Sequence, residues 1–289
     1  MRPITHSVAK PLIPIAGKPI LQHIIDPVLA TPNIKATEII FITGHLKEQI
    51  EEWVKEHYDI PLRFIEQKVQ NGTADAIRLV EPYIKNEDML IIFSDTMYDV
   101  DFEVIAEDKE AEGIIWCAEV DDPRRFGVVV HDEDRWMTEM VEKPDKPPTN
   151  LVNIGIYYIK DTKSVFSMIG ILYENDVKTK GEYSFTDALD LMAKNGKKVR
   201  VVAAEGWHDT GVYETTLATN KEFCKRAGIK NSISSHATIE KSTLSNCIVM
   251  DGARVQGCDL KESIIGPRAV VKNFKGSLIV GSDAQINGS

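Results

Sequence analysis

The chain has 289 residues, of which 43% are hydrophobic, and this size predicts one large folded domain with a smaller one. Its formal net charge of −10 argues against a nonspecific nucleic-acid binder. It does not argue against binding of small anions, because a few well-placed cationic groups can bind them. No apolar run approaches the roughly 20 residues that span a bilayer, and the four cysteines lack metal-ligand spacing, so we expect a cytoplasmic protein with reduced thiols and no membrane partner.

The first informative stretch runs from Lys10 to Ile20 and contains two Lys-Pro dipeptides. Each proline disfavours helical backbone at the lysine before it, and an amphipathic helix is predicted to begin just after Pro19. A lysine on rigid backbone beside a helix start suits a phosphate, because its charge adds to the partial positive charge of the helix end. A lone Lys-Pro is more often a simple surface feature, so Lys10 is a candidate that needs support from other motifs.

Between residues 20 and 115 the sequence alternates between helix-like and strand-like segments. Apolar residues at helical spacing predict helices over 20–29, 46–58 and 73–83. Apolar runs predict strands over 38–44, 62–65 and 89–93. This alternation indicates a parallel sheet covered on both faces, with ligands beyond the carboxyl ends of the strands. That rule points to Gly44, Gln67, Ser94 and Asp95.

The segment from Gln67 to Ala74 follows the second of these strands and opens the third helix. Asn71-Gly72 suits a turn with positive φ, and Thr73 is predicted to cap the helix. A side-chain amide offers both a donor and an acceptor, so Gln67 can pair with the imide edge of a pyrimidine, while Gly72 lets a base approach the backbone. Asn-Gly-Thr taken alone is more often an ordinary turn.

Two acidic positions are candidate metal ligands. Asp95 directly follows the third strand, and Asp209 follows a further predicted strand over 199–203. Each is either a cap of a turn or helix or a ligand of Mg²⁺, which is typically held by one or two protein carboxylates together with phosphate oxygens. For Asp209 the two roles are compatible.

Residues 114–159 change to a run of strands, predicted over 114–119, 127–131, 136–141 and 151–159. Gly127 begins one of these strands, Asn153 lies in another, and Glu142-Lys143 follows a third. The pair Glu142-Lys143 offers a carboxylate that accepts hydrogen bonds and an ammonium group that meets a phosphate. A charged strand end is by itself common on a protein surface.

The order of these motifs resembles the sugar-1-phosphate nucleotidylyltransferases, which join a nucleoside triphosphate to a sugar 1-phosphate and release pyrophosphate. The resemblance covers nearly the whole chain and is closest to glucose-1-phosphate thymidylyltransferases and uridylyltransferases. It rests on Arg2-Pro3-Ile4-Thr5, Lys10-Pro11, Gly17-Lys18-Pro19, Gln67 with Gly72-Thr73-Ala74, Ser94-Asp95, Phe126-Gly127, Val141-Glu142-Lys143-Pro144, Asn153-Ile154-Gly155 and Trp207-His208-Asp209-Thr210-Gly211.

The resemblance implies a dTTP- or UTP-dependent transfer to a hexose 1-phosphate, expected to be glucose 1-phosphate. It implies that Asp95 and Asp209 bind Mg²⁺, while Lys10 stabilises the triphosphate and Lys143 holds the attacking phosphate. The residues implied to bind the nucleotide are Gln67, Gly72 and Thr73. Those implied to bind the sugar phosphate are Gly127, Glu142, Lys143 and Asn153. A guanylyl- or adenylyltransferase is disfavoured, because Gln67 and Gly72 follow the pyrimidine pattern.

The sequence departs from the family pattern at its start. In the family a strand and a glycine-rich loop with Gly-Thr-Arg precede the Arg-Pro motif, and here Met1 stands just after the position of that loop. We hypothesise that Met1 is an internal methionine, which the intact mass of the natural protein would test. Without the loop, the alternative is a catalytically silent relative that binds a sugar nucleotide or regulates other subunits.

From Ile233 onward the pattern is repetitive, with three ungapped units over 233–248, 249–264 and 265–280. Each unit has Ile or Val at its first and seventh positions and Ala at its fifth, a spacing typical of a left-handed parallel β-helix. The predicted fold is therefore a Rossmann-like α/β nucleotidyltransferase domain with a mixed, mostly parallel sheet over 1–229, followed by a short left-handed β-helix over 233–289. Because an exposed coil end packs readily against a neighbour, we expect a homo-oligomer.

Overall fold

The structure, a computed structural model, describes residues 1–288. Its helices are α1 (Ile20–Ala30), α2 (Lys47–His57), α3 (Thr73–Arg78), α4 (Val104–Glu107), α5 (Thr162–Glu174), α6 (Phe185–Lys194) and α7 (Tyr213–Arg226). Across those residues, none of the helices is long and apolar enough to cross a membrane.

Three helices differ from the sequence prediction, and one of them, the single-turn α4, was not predicted. α3 ends at Arg78 and a separate 3₁₀ turn covers Glu81–Tyr83, because Pro82 lacks the backbone donor that would continue the helix. α5 was not predicted, although its signals are present in the sequence. The Asp161 carboxylate caps it by accepting a hydrogen bond from the Ser164 amide at 3.1 Å. Its buried apolar residues recur at helical spacing, at Val165, Phe166, Ile169 and Leu172.

The first part of the chain forms twelve short and medium strands within the described residues. They are β1 (Pro14–Ile15), β2 (Lys18–Pro19), β3 (Ile39–Thr43), β4 (Leu62–Glu66), β5 (Met89–Ile92), β6 (Thr96–Asp99), β7 (Gly113–Glu119), β8 (Gly127–His131), β9 (Met137–Glu142), β10 (Leu151–Ile159), β11 (Val199–Ala203) and β12 (Gly206–Asp209).

The main sheet has the strand order β11-β7-β10-β8-β9, and β5 also pairs with β10. β11 runs parallel to β7, and the other pairs are antiparallel. β10 therefore lies antiparallel between β5 and β7, which share one direction. The main sheet is therefore mixed, as predicted, but β11-β7 is its one parallel pair within residues 1–288 and its other four pairs are antiparallel.

β3 and β4 form a separate parallel pair, and within residues 1–288 β3 pairs with no other strand. They pack beneath α1 and α2 through a small cluster around Leu21, Ile25 and Val54. Although the β3 sequence is continuously apolar, most of its residues are only partly buried. β3 is thus less enclosed than a central strand of a parallel sheet usually is.

The C-terminal part is a coil of stacked parallel strands. They are β13 (Ser232–Ile233), β14 (Thr238–Glu240), β15 (Thr243–Val249), β16 (Arg254–Gln256), β17 (Asp259–Ile265), β18 (Val270–Lys272), β19 (Lys275–Gly276), β20 (Ile279–Val280) and β21 (Gln285–Asn287). Ile239 stacks on Val255, Val255 on Val271 and Val271 on Ile286. The repeat register read from the sequence is therefore confirmed, whereas the left hand of the coil stays a prediction.

The coil shares its core with the rest of the protein. Its interior is an apolar column around Val255, Leu260 and Val271. Ile248 and Ile264 instead belong to the cluster that buries the first residues of the chain, including Ile4, Ile13, Ile15 and Ile20. The coil and the N-terminal segment are consequently packed as one body.

Candidate functional site

The two candidate metal ligands lie on joined strand ends. β12 pairs antiparallel with β6 so that Asp209 is opposite Thr96, next to Asp95. Both the amide and the hydroxyl of Thr210 donate to the Asp95 carbonyl oxygen, at 3.1 and 2.8 Å. Asp209 does not cap α7, whose N-cap is Val212; its carboxylate accepts a hydrogen bond from the Gly211 amide at 2.7 Å. The two aspartates therefore converge on one side of the molecule.

Lys10 lies within the electrostatic reach of both carboxylates. Burial lowers the pKa of its ammonium group, and the charges of Asp95 and Asp209 oppose that change. The backbone before it is held rigidly, since the Ala9 amide donates to Gln49 Oε1 at 2.9 Å. The structure thus brings together one cation and two carboxylates from three distant parts of the sequence.

The donor set suits a hard divalent cation. Across residues 1–288 no group of three or more His, Cys, Asp and Glu side chains is arranged to hold a metal. Two carboxylates completed by phosphate oxygens are the usual protein contribution to a Mg²⁺ site. The hydroxyl of Thr96, between the two aspartates, is buried and has no hydrogen-bond partner within those residues. The residues present fit Mg²⁺ bound together with a phosphate ligand.

A second cluster forms around Gly127. β8 and β9 put Gly127 directly opposite Glu142, and Asn153 Nδ2 donates to the Gly127 carbonyl oxygen at 3.0 Å. Glu142 accepts a hydrogen bond from Thr186 Oγ1 at 2.8 Å and forms an ion pair with Lys143 Nζ at 3.1 Å. All four residues that the resemblance assigns to the sugar phosphate therefore meet here.

Lys143 adopts a left-handed backbone, with φ of +46°. Its amide donates to the Phe126 carbonyl oxygen at 2.9 Å, directly after the end of β9 at Glu142. Such a conformation is unfavourable for a residue other than glycine and tends to occur at functional positions.

Replacing Gly127 by alanine is expected to destabilise the protein by about 1–3 kcal/mol, because the added methyl group overfills a packed site. The methyl carbon would lie 2.2 Å from Asn153 Nδ2 and 3.1 Å from Glu142 Oε2. Urea denaturation would measure the change in the free energy of unfolding.

The matched control is Gly170→Ala, which adds a methyl group to the interior of α5, where no atom beyond its chain neighbours and the adjacent helix backbone lies within 4 Å. It is expected to stabilise the protein by about 0.5–1 kcal/mol. Equal effects of the two substitutions would contradict the close packing around Gly127.

Gln67 is held in one orientation. Its Nε2 donates to the Gly72 carbonyl oxygen at 3.1 Å and to Asp75 Oδ2 at 3.0 Å. Both partners are acceptors, so the amide nitrogen must face them and Oε1 must face the other way. Gln67 thus presents an acceptor to an incoming group.

Gly72 and Thr73 depart from their predicted local roles. Gly72, with φ of +113°, is the N-cap of α3, so Thr73 is not the cap. The Thr73 hydroxyl instead accepts a hydrogen bond from the Phe185 amide at 2.9 Å. A methyl group on Gly72 would lie 2.4 Å from the Tyr183 carbonyl oxygen. Chain packing therefore already requires glycine at position 72, whatever binds on its other side.

The nucleotide segment and the Gly127 cluster line one cleft of about 130 Å³. Its lining residues are Thr73, Glu142, Lys143, Thr179, Lys180, Glu182 and Ser184. Asp95 and Glu142 both lie within the electrostatic reach of the buried Tyr157. Burial raises the pKa of Tyr157 strongly, and the charges of Glu142 and Asp95 raise it further. Of the predicted residues, Thr73, Glu142 and Lys143 therefore line one cleft, and Asp95 acts electrostatically on the same tyrosine as Glu142.

Two residues of this region were missed by the sequence prediction. Thr186 donates a hydrogen bond from its hydroxyl to Glu142, whereas its neighbour Ser184 is the N-cap of α6. Asp187 accepts a hydrogen bond from Thr179 Oγ1 at 2.8 Å. Burial raises its pKa, and the charge of Glu142 adds to the effect. The only sequence signal for either was the motif Gly181-Glu182-Tyr183-Ser184-Phe185-Thr186-Asp187 itself.

The sequence profile of the family described as "Nucleotidyl transferase" matches residues 1–226. The chain belongs to the nucleotidyl transferase family. The family predicted from the motifs is therefore confirmed.

Relatives within this family include the bifunctional protein GlmU of Methanocaldococcus jannaschii, 34% identical over 256 residues that cover 88% of this chain and 58% of GlmU. The UTP–glucose-1-phosphate uridylyltransferase AglF of Haloferax volcanii is 29% identical over 213 residues, covering 72% of this chain and 84% of AglF. This nucleotidyl transferase chain thus spans less than two thirds of the length of GlmU from Methanocaldococcus jannaschii.

Two solved structures share the fold. A UDP-glucose pyrophosphorylase complexed with UDP-glucose has a TM-score of 0.67 and 22% identity, covering 78% of this chain and 94% of that one. A putative glucose-1-phosphate thymidylyltransferase from Bacillus anthracis has a TM-score of 0.64 and 25% identity, covering 77% of this chain and 89% of that one. Both superpose on most of this nucleotidyl transferase chain, which supports the mixed α/β fold.

Proposed function

We propose that the protein transfers a nucleotidyl group from dTTP or UTP to a hexose 1-phosphate, with glucose 1-phosphate as the expected acceptor. A phosphate oxygen of the sugar phosphate attacks the α-phosphorus of the triphosphate, the bond between the α-phosphorus and its bridging oxygen breaks, and pyrophosphate leaves. The observation that carries the proposal is the grouping of Lys10 with Asp95 and Asp209, and the cleft lined by Lys143 and Glu142 supports it.

The proposed roles follow from charge and position. The ammonium group of Lys10 stabilises the triphosphate, and that of Lys143 holds the attacking phosphate, so two like-charged reactants are brought together. Glu142 accepts hydrogen bonds from sugar hydroxyls, and Asn153 donates hydrogen bonds to them. Asp95 and Asp209 would hold Mg²⁺, which when bound neutralises charge on the phosphate oxygens.

The orientation of Gln67 supports a pyrimidine with an imide group. Uracil and thymine carry an N–H donor between two carbonyl groups, and Gln67 Oε1 faces away from Gly72 and Asp75 as an acceptor for it. Cytosine has an acceptor at the same ring position and would be repelled. We therefore expect UTP or dTTP to be preferred over CTP.

The nucleotide and the acceptor can be assigned by a panel assay of pyrophosphate release. ATP, CTP, GTP, UTP and dTTP would each be offered with the 1-phosphates of glucose, galactose and N-acetylglucosamine. Release with UTP or dTTP and a hexose 1-phosphate is the expected result. Release only with a purine triphosphate would contradict the role of Gln67.

The rate of the proposed reaction is expected to fall on the alkaline side at a pH below 10.5, the usual pKa of lysine. Burial lowers the pKa of Lys10, so its proton is lost earlier than from an exposed lysine. The pH dependence of kcat/KM for the triphosphate would report this free-enzyme titration. In Lys10→Arg the guanidinium stays charged, so the alkaline fall should move to higher pH. The same alkaline fall in both proteins would exclude Lys10 as its cause.

One observation favours the alternative, a silent relative that binds a sugar nucleotide or regulates other subunits. Within residues 1–288, β3 and β4 pair only with each other, so the nucleotide half is not joined by strand pairing to the main sheet. Looser positioning of the triphosphate would weaken catalysis more than binding. Isothermal titration with UDP-glucose, compared with pyrophosphate release, separates the two: tight binding without release supports the silent relative.

A further inference from the structure

The hairpin that follows Lys10 is held at its tip by residues far along the chain. β1 and β2 are joined by Ala16 and Gly17, both with positive φ. The Ala16 amide donates to Asn220 Oδ1 at 3.1 Å, and the Gly17 amide donates to Ser232 Oγ at 2.9 Å. The two backbone donors of the turn are thus satisfied by one side chain of α7 and one of the coil.

Asn220 is completely buried and belongs to a network of side-chain amides. Its Nδ2 donates to Asn246 Oδ1 at 3.1 Å, and Asn246 Nδ2 donates to the Leu217 carbonyl oxygen at 3.0 Å. Asn246 lies at a corner of the coil, with φ of +52°. Each hydrogen bond restricts the orientation of a buried side-chain amide. Asn246 of the coil therefore sets the orientation in which Asn220 accepts the Ala16 amide.

The helix that carries Asn220, α7, also holds Asp209. Thr219 Oγ1, next to Asn220 in the sequence, donates to the Asp209 carbonyl oxygen at 3.1 Å. One turn earlier, Thr216 Oγ1 donates to the Thr210 carbonyl oxygen at 3.3 Å. Thr219 and Asn220 are consecutive in α7. They therefore fix the hairpin that follows Lys10 relative to the end of β12 at Asp209.

Apolar packing reinforces these hydrogen bonds. Ile248 and Ile264 of the coil are fully buried in the cluster that contains Ile13 and Ile15, on either side of Pro14. Ser232 Oγ also lies 3.4 Å from the Pro14 carbonyl oxygen, to which it donates. The coil is consequently in contact with both the tip and the base of the hairpin.

We propose that the coil is a positioning element of the active site. Ser232, and Asn246 acting through Asn220, hold the hairpin that follows Lys10, and with it Lys10, at a fixed place relative to Asp209. This proposal rests on the proposed function for its catalytic consequence, but not for the geometry of Lys10. Ser232, Asn220 and Asn246 are positioning residues, since none of them reaches the substrates through the contacts described.

Two substitutions test the proposal against closely matched controls. Ser232→Ala removes the acceptor of the Gly17 amide. Ser263→Ala removes an equally buried coil serine, which accepts the Leu278 amide at 3.0 Å and, within residues 1–288, forms no hydrogen bond with the hairpin. Ser232→Thr keeps the hydroxyl group and should restore the behaviour of the wild-type protein.

Asn246→Gly removes the amide without backbone strain, since glycine readily adopts φ near +52°. Asn273→Gly makes the same replacement at an exposed coil corner with φ of +51°. The melting temperature of each test variant and its control would be measured first. All proteins would then be compared at a temperature where they are folded, so that a loss of folded protein is not mistaken for a loss of positioning.

The first measurement does not depend on enzyme activity. The acetylation of Lys10 by acetic anhydride, followed by mass spectrometry over a pH series, gives the apparent pKa of its amine. In Ser232→Ala and Asn246→Gly a loosened hairpin exposes Lys10. The pKa of its amine should therefore rise towards the usual value of lysine, and its acetylation should shift to higher pH. Ser263→Ala and Asn273→Gly should match the wild-type protein.

The second measurement is the steady-state rate of pyrophosphate release. We expect kcat/KM for the triphosphate to fall about tenfold in Ser232→Ala and Asn246→Gly, because small displacements of a catalytic group are costly. KM for the sugar phosphate should stay unchanged. A purely structural defect that reduces the active fraction would lower kcat and kcat/KM by the same factor and leave both KM values unchanged, so the positioning role requires kcat/KM for the triphosphate to fall by more than kcat.

The two proposals fail in different ways. No pyrophosphate release from any protein, together with altered Lys10 labelling in the two test variants, would reject the proposed function and support the positioning role. Active proteins in which test and control variants have the same Lys10 labelling and the same kcat/KM would overturn the positioning role.

Discussion

Replacing Lys143 by alanine is expected to lower the rate of pyrophosphate release by about a hundredfold or more, because removing a group that stabilises charge in the transition state typically has this effect. Lys143 lines the cleft, pairs with Glu142 at 3.1 Å and is about half exposed. Its ammonium group is therefore free to exchange Glu142 for a phosphate. Initial rates with saturating UTP or dTTP and hexose 1-phosphate would measure the change.

Lys146→Ala is the matched control for this substitution. Lys146 is an exposed lysine three residues further along the chain and does not line the cleft. The same loss of charge should therefore leave the rate close to that of the wild-type protein. Because Lys143 is exposed as well, neither substitution should change the free energy of unfolding by more than about 0.5 kcal/mol. A full rate in Lys143→Ala would refute its role.

The substitutions Asp95→Asn and Asp209→Asn are each expected to lower the rate by about a thousandfold and to raise the Mg²⁺ concentration needed for activity. Each removes a negative charge that opposes the burial-induced change in the pKa of Lys10. The fold should be retained, since asparagine Oδ1 at position 209 can still accept the Gly211 amide at 2.7 Å. Rates over a Mg²⁺ titration, beginning after treatment with EDTA, would measure both effects.

Asp101→Asn controls for the loss of an acidic side chain nearby. Asp101 is exposed and its Oδ1 accepts the Glu103 amide at 2.8 Å, a bond that asparagine also makes. It should behave like the wild-type protein. If Asp95→Asn loses activity while Asp209→Asn keeps the normal rate and Mg²⁺ requirement, the shared metal site is wrong.

Local pattern was sufficient for much of the fold. The apolar spacing that predicted a helix over 20–29 corresponds to α1, and the run at 89–93 corresponds to β5. The repeat units gave the stacking of Ile239, Val255 and Val271 without any structural information. These features depend on side chains that are close in sequence or repeat at a fixed period, which is why a single sequence carries them.

The sequence by itself predicted the chemistry of the candidate residues through motifs in a fixed order, and the family that those motifs indicated is the one whose profile matches residues 1–226. It could not determine that β10 inserts antiparallel between β5 and β7, because strand order is decided by long-range pairing. Nor could it show that Asn220 and Ser232 hold the hairpin beside Lys10. Those contacts join residues remote in sequence, and only the packing of the coil against the rest of the chain brings them within hydrogen-bonding distance.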